Sequence, residues 1–383
     1  MKKSFLLIAA TAIIISCTDS NVKENLIPEQ AIGFTNNHVG RTTRNAGEIN
    51  NKTALETDGN TMKVWAWKTN SKNVTSKVFN GVTVTYNTAT AQAANSTTGW
   101  SYSPIRYWDT ESSYDFYAVA PYNKFAIDDA THIITATVAE PVQILNDLNG
   151  VDKVTTSTAI DYLVATGVHR DRPKGNASDG DVSFTFSHIL SRLAIKVNTS
   201  STFNNTGSTY PQIKLTYFSI WLQGMCPTYT QATAGTVDAA ADAWSGTGSS
   251  ETEYVCFDSS PATAPATNSV TDKLLDASTG NSLTSIADYL VAPTATATTN
   301  PVASAATYTY KVSLEYDIYY SSTTGDSEHF IVDKRSITGL TSFVQNTSNT
   351  LTVTVDPKAI RFDVDTNSDW TFTSGTSANV EIE

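Results

Sequence analysis

The chain has 383 residues, 16% of them charged, and a net charge of −12; that length suits two domains, and an acidic surface with no Lys/Arg cluster argues against a nucleic-acid partner. Thr, Ser, Asn and Ala replace the missing charges beside 17 Tyr, 14 Phe and 7 Trp, a composition that favours strands over helices. The 40% hydrophobic content argues against wholesale disorder.

The N-terminus reads MKKSFLLIAATAIIISC. Lys2 and Lys3 precede an apolar run over 5–15 that is too short for a bilayer, which needs about 20 residues, so residues 1–16 read as a signal peptide. Ile14-Ile15-Ser16-Cys17 resembles a bacterial lipobox, with Ile14 where Leu is usual, and makes Cys17 the expected lipidation site. The chain turns polar at once (TDSNVKEN), as a tether would. An acyl group on Cys17 would anchor the mature chain to outer-membrane lipid without spanning it.

Residues 31–39 (AIGFTNNHV) predict one strand, followed by GRTTRNAGE. Arg41 and Arg44 stand there among small polar residues and are candidate protease cleavage sites. Residues 17–44 thus read as a lipidated tether with a cleavable N-terminal strand. Strand signals then become regular. Trp65 and Trp67, two apart on a strand at 62–67, share one face and are expected to bury in the first domain. Asn80-Gly81 between β formers predicts a hairpin turn. Further strands are expected at 100–104, 114–121, 132–138 and 161–166. The charged, turn-rich stretch HRDRPKGNASDG at 169–180 marks a boundary between an N-terminal domain, 45–175, and a C-terminal domain, 176–383. The run VSFTFSHILSRLAIKV at 182–197 alternates, loses phase over HILSRL, and so predicts a bulge. Phe184 and Phe186 are expected beside the second core. Strands at 213–222, 308–320, 329–332 and 351–355 complete the pattern. Residues 230–308 read mainly as loops, with one helix-like turn near 284–289. Many short strands separated by turn signals predict an all-β chain of antiparallel sandwiches.

No motif carries catalysis. The five histidines are scattered, and HExxH, GxSxG, Walker and GxGxxG patterns are missing. No cofactor and no metal are expected, and the chain is not expected to be an enzyme. Asp363, Asp365, Asn367 and Asp369 alternate as in half an EF-hand loop, but Ser368 stands where Gly is required and Ser374 where Glu is; a solvated turn is the plainer reading. Cys226 and Cys256 form either a bridge or two buried thiols. Trp65, Trp67, Trp100, Tyr107 and Trp108 offer an alternative function, a glycan-binding surface lipoprotein, if their rings are exposed.

Several segments together resemble the fimbrillin-like lipoproteins that form type V pili in Bacteroides-type bacteria. They are the lipobox with its arginine connector (GRTTR, 40–44), Phe79-Asn80-Gly81, WSYSPIRYW at 100–108, YDFYAVAP at 114–121, FTFSHILSRL at 184–193, YLVAP at 289–293, and Ile360-Arg361-Phe362 followed by Trp370. The resemblance spans nearly the whole chain. It implies two transthyretin-like antiparallel β-sandwich domains, export as a surface lipoprotein of the outer membrane, and a role in fimbriae as a structural subunit or an accessory or tip adhesin. It further implies cleavage by an arginine-specific protease and assembly with other fimbrillin subunits by strand exchange, with a host or bacterial surface receptor as a further partner for an adhesin. The tail offers a donor strand: Phe362 and Val364 alternate, as do Trp370 and Phe372, and Val380 and Ile382.

Overall fold

A computed structural model describes residues 30–36, 49, 51–90, 98–121, 124–146, 159–174, 179–199, 210–259, 273–274, 284–294, 308–323, 325–356 and 359–367. Among them lie β1 (Phe34–Asn36), a one-turn helix α1 (Lys52–Leu55), β2 (Thr61–Asn70), β3 (Thr75–Tyr86), β4 (Trp100–Ser101), β5 (Ser112–Ala120), β6 (Phe125–Ile127), β7 (Ile134–Thr137) and β8 (Val142–Asn146). Next come β9 (Leu163–Ala165), β10 (Val168–Arg170), β11 (Val182–Phe184), β12 (Phe186–His188), β13 (Ser191–Thr199), β14 (Gln212–Leu222), β15 (Thr228–Thr230) and β16 (Ala243–Ser245). The last are β17 (Thr252–Asp258), β18 (Lys273–Leu274), β19 (Thr284–Val291), β20 (Lys311–Tyr319), β21 (Ser327–Ser336), β22 (Ser348–Asp356) and β23 (Ala359–Asn367). The chain is all-β, as its composition predicts.

One sheet runs β12-β9-β5-β2-β3-β4, with β10 also on β5, and β1 pairs with β11 beside it. Three further sheets run β23-β22-β13-β19-β8, β17-β14-β20-β21 with β18 on β14, and β16-β15-β7-β6. Every pairing is antiparallel except β1 with β11 and β13 with β22.

Two apolar clusters result, and β2 and β5 feed both because side chains alternate across a sheet. Val64, Ala66, Phe116 and Ala118 face the first cluster, with Phe34, Phe79 and Trp100. Trp65, Trp67, Tyr117 and Val119 face the second, which continues through β13, β14, β19, β20 and β22. The two tryptophans therefore share a face and are buried, as alternation requires, but that face belongs to the second cluster. Phe184 and Phe186 differ in the opposite sense: both are fully buried in the first cluster. The lost phase over HILSRL is the reason. The chain leaves the first sheet after β12 and enters the second cluster at Ile189, so the break is a crossing between sheets and not a bulge.

Asn80-Gly81 also differs from expectation. β3 runs straight through it, and Val64 pairs with Val82 while Ala66 pairs with Phe79, so Asn80 and Gly81 together oppose Trp65. Gly81 has φ of +60°, and a Cβ there would stand 2.5 Å from Lys63 Cε and 3.1 Å from Trp65 Nε1. The dipeptide is a bulge that admits the indole. The β2–β3 turn instead lies at 71–74, where Asn70 accepts from Asn73 and Asn73 has φ of +59°. Residues 284–289, read as a helical turn, are part of β19, and β16, β17 and β18 lie in the stretch read as loops. Residues 363–367 continue β23, so Asp363, Asp365 and Asn367 sit on a strand and not on a turn, while Asp369 lies outside the described residues. Cys226 and Cys256 are buried thiols that are not bridged to each other.

Candidate functional site

Residues 30–36 enter the first cluster through Ile32 and Phe34. Their backbone pairs with two distant stretches. On one side Ile32 N–H donates to Arg106 C=O (2.8 Å), Trp108 N–H donates to Gln30 C=O (3.1 Å), and Ala31 bridges Tyr107 in antiparallel fashion. On the other, β1 runs parallel to β11 with Phe34 opposite Val182, Thr35 opposite Ser183 and Asn36 opposite Phe184. Val182 N–H also donates to Gly33 C=O (2.8 Å).

Side chains complete the hold. Tyr102 OH donates to Ile32 C=O at 2.8 Å, and Thr98 Oγ1 to Phe34 C=O at 2.6 Å. Burial pushes the Tyr102 hydroxyl up to about 12, partly offset by the Arg106 N–H it accepts. The Phe34 ring is enclosed by Phe79, Tyr102, Phe116 and Phe184, with centroids 5.4, 5.4, 6.2 and 5.9 Å away. Ile32, Phe34 and Asn36 are all fully buried. Asn36 Nδ2 donates to Glu56 Oε1 (3.2 Å), while its Oδ1 has no partner among the described residues. Gly33 passes under Asp181 so closely that a Cβ would stand 1.8 Å from the carboxylate Oδ1.

The chain is fixed again at Ile49, whose N–H donates to Asp161 Oδ2 at 2.9 Å. The other oxygen of Asp161 bonds His188 Nδ1 at 3.0 Å, and both residues are buried. The connector with Arg41 and Arg44 thus leaves one tight anchor at Asn36 and meets another at Ile49. Arg41 and Arg44 themselves lie outside the described residues, as do Cys17, Trp370, Phe372, Val380 and Ile382. Phe362 and Val364 lie on β23, opposite Val353 and Leu351 of β22, and Val364 is buried in the second cluster. Of the aromatics considered for glycan stacking, Trp65, Trp67, Trp100 and Trp108 are buried and Tyr107 is exposed. Nothing in the sequence paired Gly33 with Asp181 or Ile32 with Tyr102; these partners stand 148 and 70 positions apart and meet only when the chain folds back.

A family model described as fimbrillin-like matches residues 43–381. The chain belongs to the fimbrillin-like family. Among solved structures, this fimbrillin-like chain aligns with a fimbrial protein from Bacteroides vulgatus at 15% identity and a TM-score of 0.49, covering 89% of this chain and 99% of that one. It aligns with candidate cell adhesion proteins from Bacteroides uniformis (16% identity, TM-score 0.44, 90% and 100% covered) and Bacteroides ovatus (14%, 0.42, 90% and 99%). No curated protein matches the chain.

Proposed function

We propose that this protein is a subunit or adhesin of bacterial surface fimbriae, exported as a lipoprotein on Cys17, held at the outer membrane by its acyl chains, and polymerised by exchange of its N-terminal strand. The observation that carries this reading is the seating of residues 30–36. Ile32 and Phe34 are buried in the first cluster, yet the segment joins the rest of the chain through a connector holding Arg41 and Arg44. Cutting after either arginine would sever the covalent tie of a segment that only non-local contacts retain. Its departure would uncover the aromatic walls around Phe34 and the unpaired edge of β11, a surface that a strand from another subunit can fill through main-chain hydrogen bonds and side-chain pockets. The glycan-binding alternative loses its platform, because four of its five aromatic residues are buried.

The test uses purified full-length protein and an arginine-specific protease. Ladders of multimers stable to detergent are expected on gels, and none from a variant with Arg41→Ala and Arg44→Ala together. Ladders from the double variant would remove the cleavage step. For the anchor, Cys17→Ala should release the protein from membranes and abolish labelling by a fatty-acid analogue; unchanged labelling would refute lipidation at Cys17.

A further inference from the structure

The sheet β17-β14-β20-β21 ends at β21, and among the described residues no strand lies beyond it. At ten residues, β21 is the longest edge strand of the described sheets. Its side chains are exposed except for Phe330 and Val332, which turn toward the second cluster. Ile331 points the other way and is 66% exposed, more than any other large apolar residue described. A long edge with an apolar centre is a template for another strand.

Natural edges are blunted by lysines and bulges, and β21 has one of each, both confined to its far end. Its register with β20 holds without a shift from Ser327 opposite Tyr319 to Val332 opposite Leu314. It then slips, with Arg335 opposite Val312, so that Asp333 and Lys334 together oppose Ser313. Lys334 has φ of +46° there, and its ammonium lies 3.6 Å from the centroid of the Trp221 ring. That lysine leans onto its own sheet and does not guard the open side.

The backbone fixes which groups are available. Tyr320 N–H donates to Asp326 C=O (3.0 Å) where the two strands meet, and bonded pairs alternate along an antiparallel ladder. Glu328, Phe330 and Val332 therefore turn their amides and carbonyls to β20, while His329 and Ile331 turn theirs outward.

The edge is complementary to itself. Centred on Ile331 and set against an antiparallel copy, it places Ile331 on Ile331, Phe330 on Val332 and His329 on Asp333. The bulge takes up one residue, so the next pair is Glu328 with Arg335, opposite charges on one face of the joined sheet. Neighbouring centres do worse. Centring on His329 sets two imidazoles together, centring on Phe330 sets Glu328 against Val332, and centring on Val332 sets Ile331 against Asp333.

We propose that β21 of a second copy adds antiparallel to β21, with a two-fold axis at Ile331, so that the two sheets become one. A two-fold contact uses the same patch on both copies and closes at two. It pairs subunits side by side and does not lengthen a chain of them. It uses neither β1 nor the connector at 37–48, and so stands apart from strand exchange.

The experiment uses the full-length chain with no protease. Sedimentation equilibrium should show a concentration-dependent mixture of monomer and dimer. Ile331→Lys, which sets two ammonium groups at the axis, should leave monomer alone with thermal unfolding unchanged. A chain that stays monomeric up to its solubility limit would overturn the second copy as occupant, and a dimer that survives Ile331→Lys would overturn β21 as the contact. Arg335→Glu should also lose the dimer, and Glu328→Arg added to it should restore the dimer; no recovery would overturn the register. Ile331→Cys with a short thiol-to-thiol cross-linker should give covalent dimers and nothing larger. The unsubstituted chain controls for Cys17 and for the buried Cys226 and Cys256. Val74→Cys, at an exposed site on the β2–β3 turn, controls for chance collision, and an equal yield from it would overturn the proposal. Val255→Cys probes β17, the opposite edge of the same sheet. Ladders from Ile331→Cys with Val255→Cys, and no dimer from Ile331→Cys alone, would mean that β21 meets β17 head to tail and would overturn the two-fold pair.

Discussion

At one end of the described chain, β1 sets three residues parallel to β11; at the other, β23 sets nine residues antiparallel to β22 with no register shift. The short strand depends on its side chains. Phe34 among four rings, and isolated bonds from Tyr102, Thr98 and Arg106, replace the ladder that β23 enjoys. The difference bears on which end can be exchanged. A long uninterrupted ladder gives up all its bonds together, whereas a segment seated mainly by one aromatic knob can be replaced by another segment that carries the same knob. The same contrast holds for polar groups. Beside β22, Arg192 makes a bidentate bond to Asp288 with both side chains buried, and Asn349 donates to Ser191; in the β1 groove, Asn36 keeps a buried oxygen without a partner among the described residues.

The largest test of this contrast is truncation at each end. Removing 359–383 strips β22 of a whole neighbour and should leave the second cluster unable to fold, seen as loss of cooperative thermal unfolding and of near-ultraviolet circular dichroism. Removing 1–44 should leave β13, β14, β20 and β22 protected from hydrogen exchange while amides of β2, β5 and β11 exchange faster. Equal damage from the two truncations would erase the distinction. Within the groove, Phe34→Ala should cost about 3–5 kcal/mol, the usual range for truncating a buried Phe. The loss should appear in exchange of first-cluster amides and not in β13 or β22. A cost under about 1 kcal/mol, far below that range, would mean that Phe34 is not what seats the strand.

Much of this architecture was legible because alternation reports burial directly. Tyr114, Phe116 and Ala118 point one way and Tyr117 and Val119 the other, and the run from 114 to 121 is read as a strand for that reason. Alternation does not say which cluster a face meets. Trp65 and Trp67 were assignable to one buried face but not to the second cluster, and Phe184 and Phe186 to one buried face but not to the first. A crossing such as that after His188 and a bulge both appear as lost phase, so HILSRL was ambiguous by nature. Asn-Gly favours positive φ wherever the chain needs it, and at Gly81 the need came from the Trp65 indole and not from a turn. The expected strand at 31–39 is realised over Phe34–Asn36, and residues 37–39 lie outside the described residues; its partners were not visible, since Asp181 and Tyr102 carry no mark of the segment they hold.

A smaller effect probes the close passage of Gly33. Gly33→Ala forces its new methyl against Asp181 Oδ1 and should cost about 1–3 kcal/mol, as overpacking does. Asp181→Ala in the same chain should recover most of that loss, because the two substitutions share one contact and their effects are not additive. Failure of Asp181→Ala to rescue Gly33→Ala would show that the clash is relieved elsewhere.

The smallest effect, and the one with a pH signature, belongs to Tyr102. Its hydroxyl donates to Ile32 C=O inside the groove, so Tyr102→Phe removes one buried hydrogen bond and leaves a carbonyl unsatisfied, a loss of about 1–2 kcal/mol at neutral pH. Burial pushes this hydroxyl up to about 12 in the folded chain, against 10 for an ordinary tyrosine. The folded state therefore keeps a proton that the unfolded state gives up between those values. The unfolded chain binds fewer protons there, so stability falls as pH rises from about 10 to about 12; the contribution is whole below 10 and gone above 12. Tyr114 is pushed to about 12 by burial in the same cluster and titrates in the same window, so Tyr102→Phe should reduce the alkaline slope by one proton's worth and not abolish it. Thermal unfolding of both proteins at intervals from pH 8 to 12 measures this directly. Parallel curves, with the variant lower by a constant amount, would mean that the Tyr102 hydroxyl is reached by water even with residues 30–36 in place, and that the strand seals the groove less tightly than its buried contacts indicate.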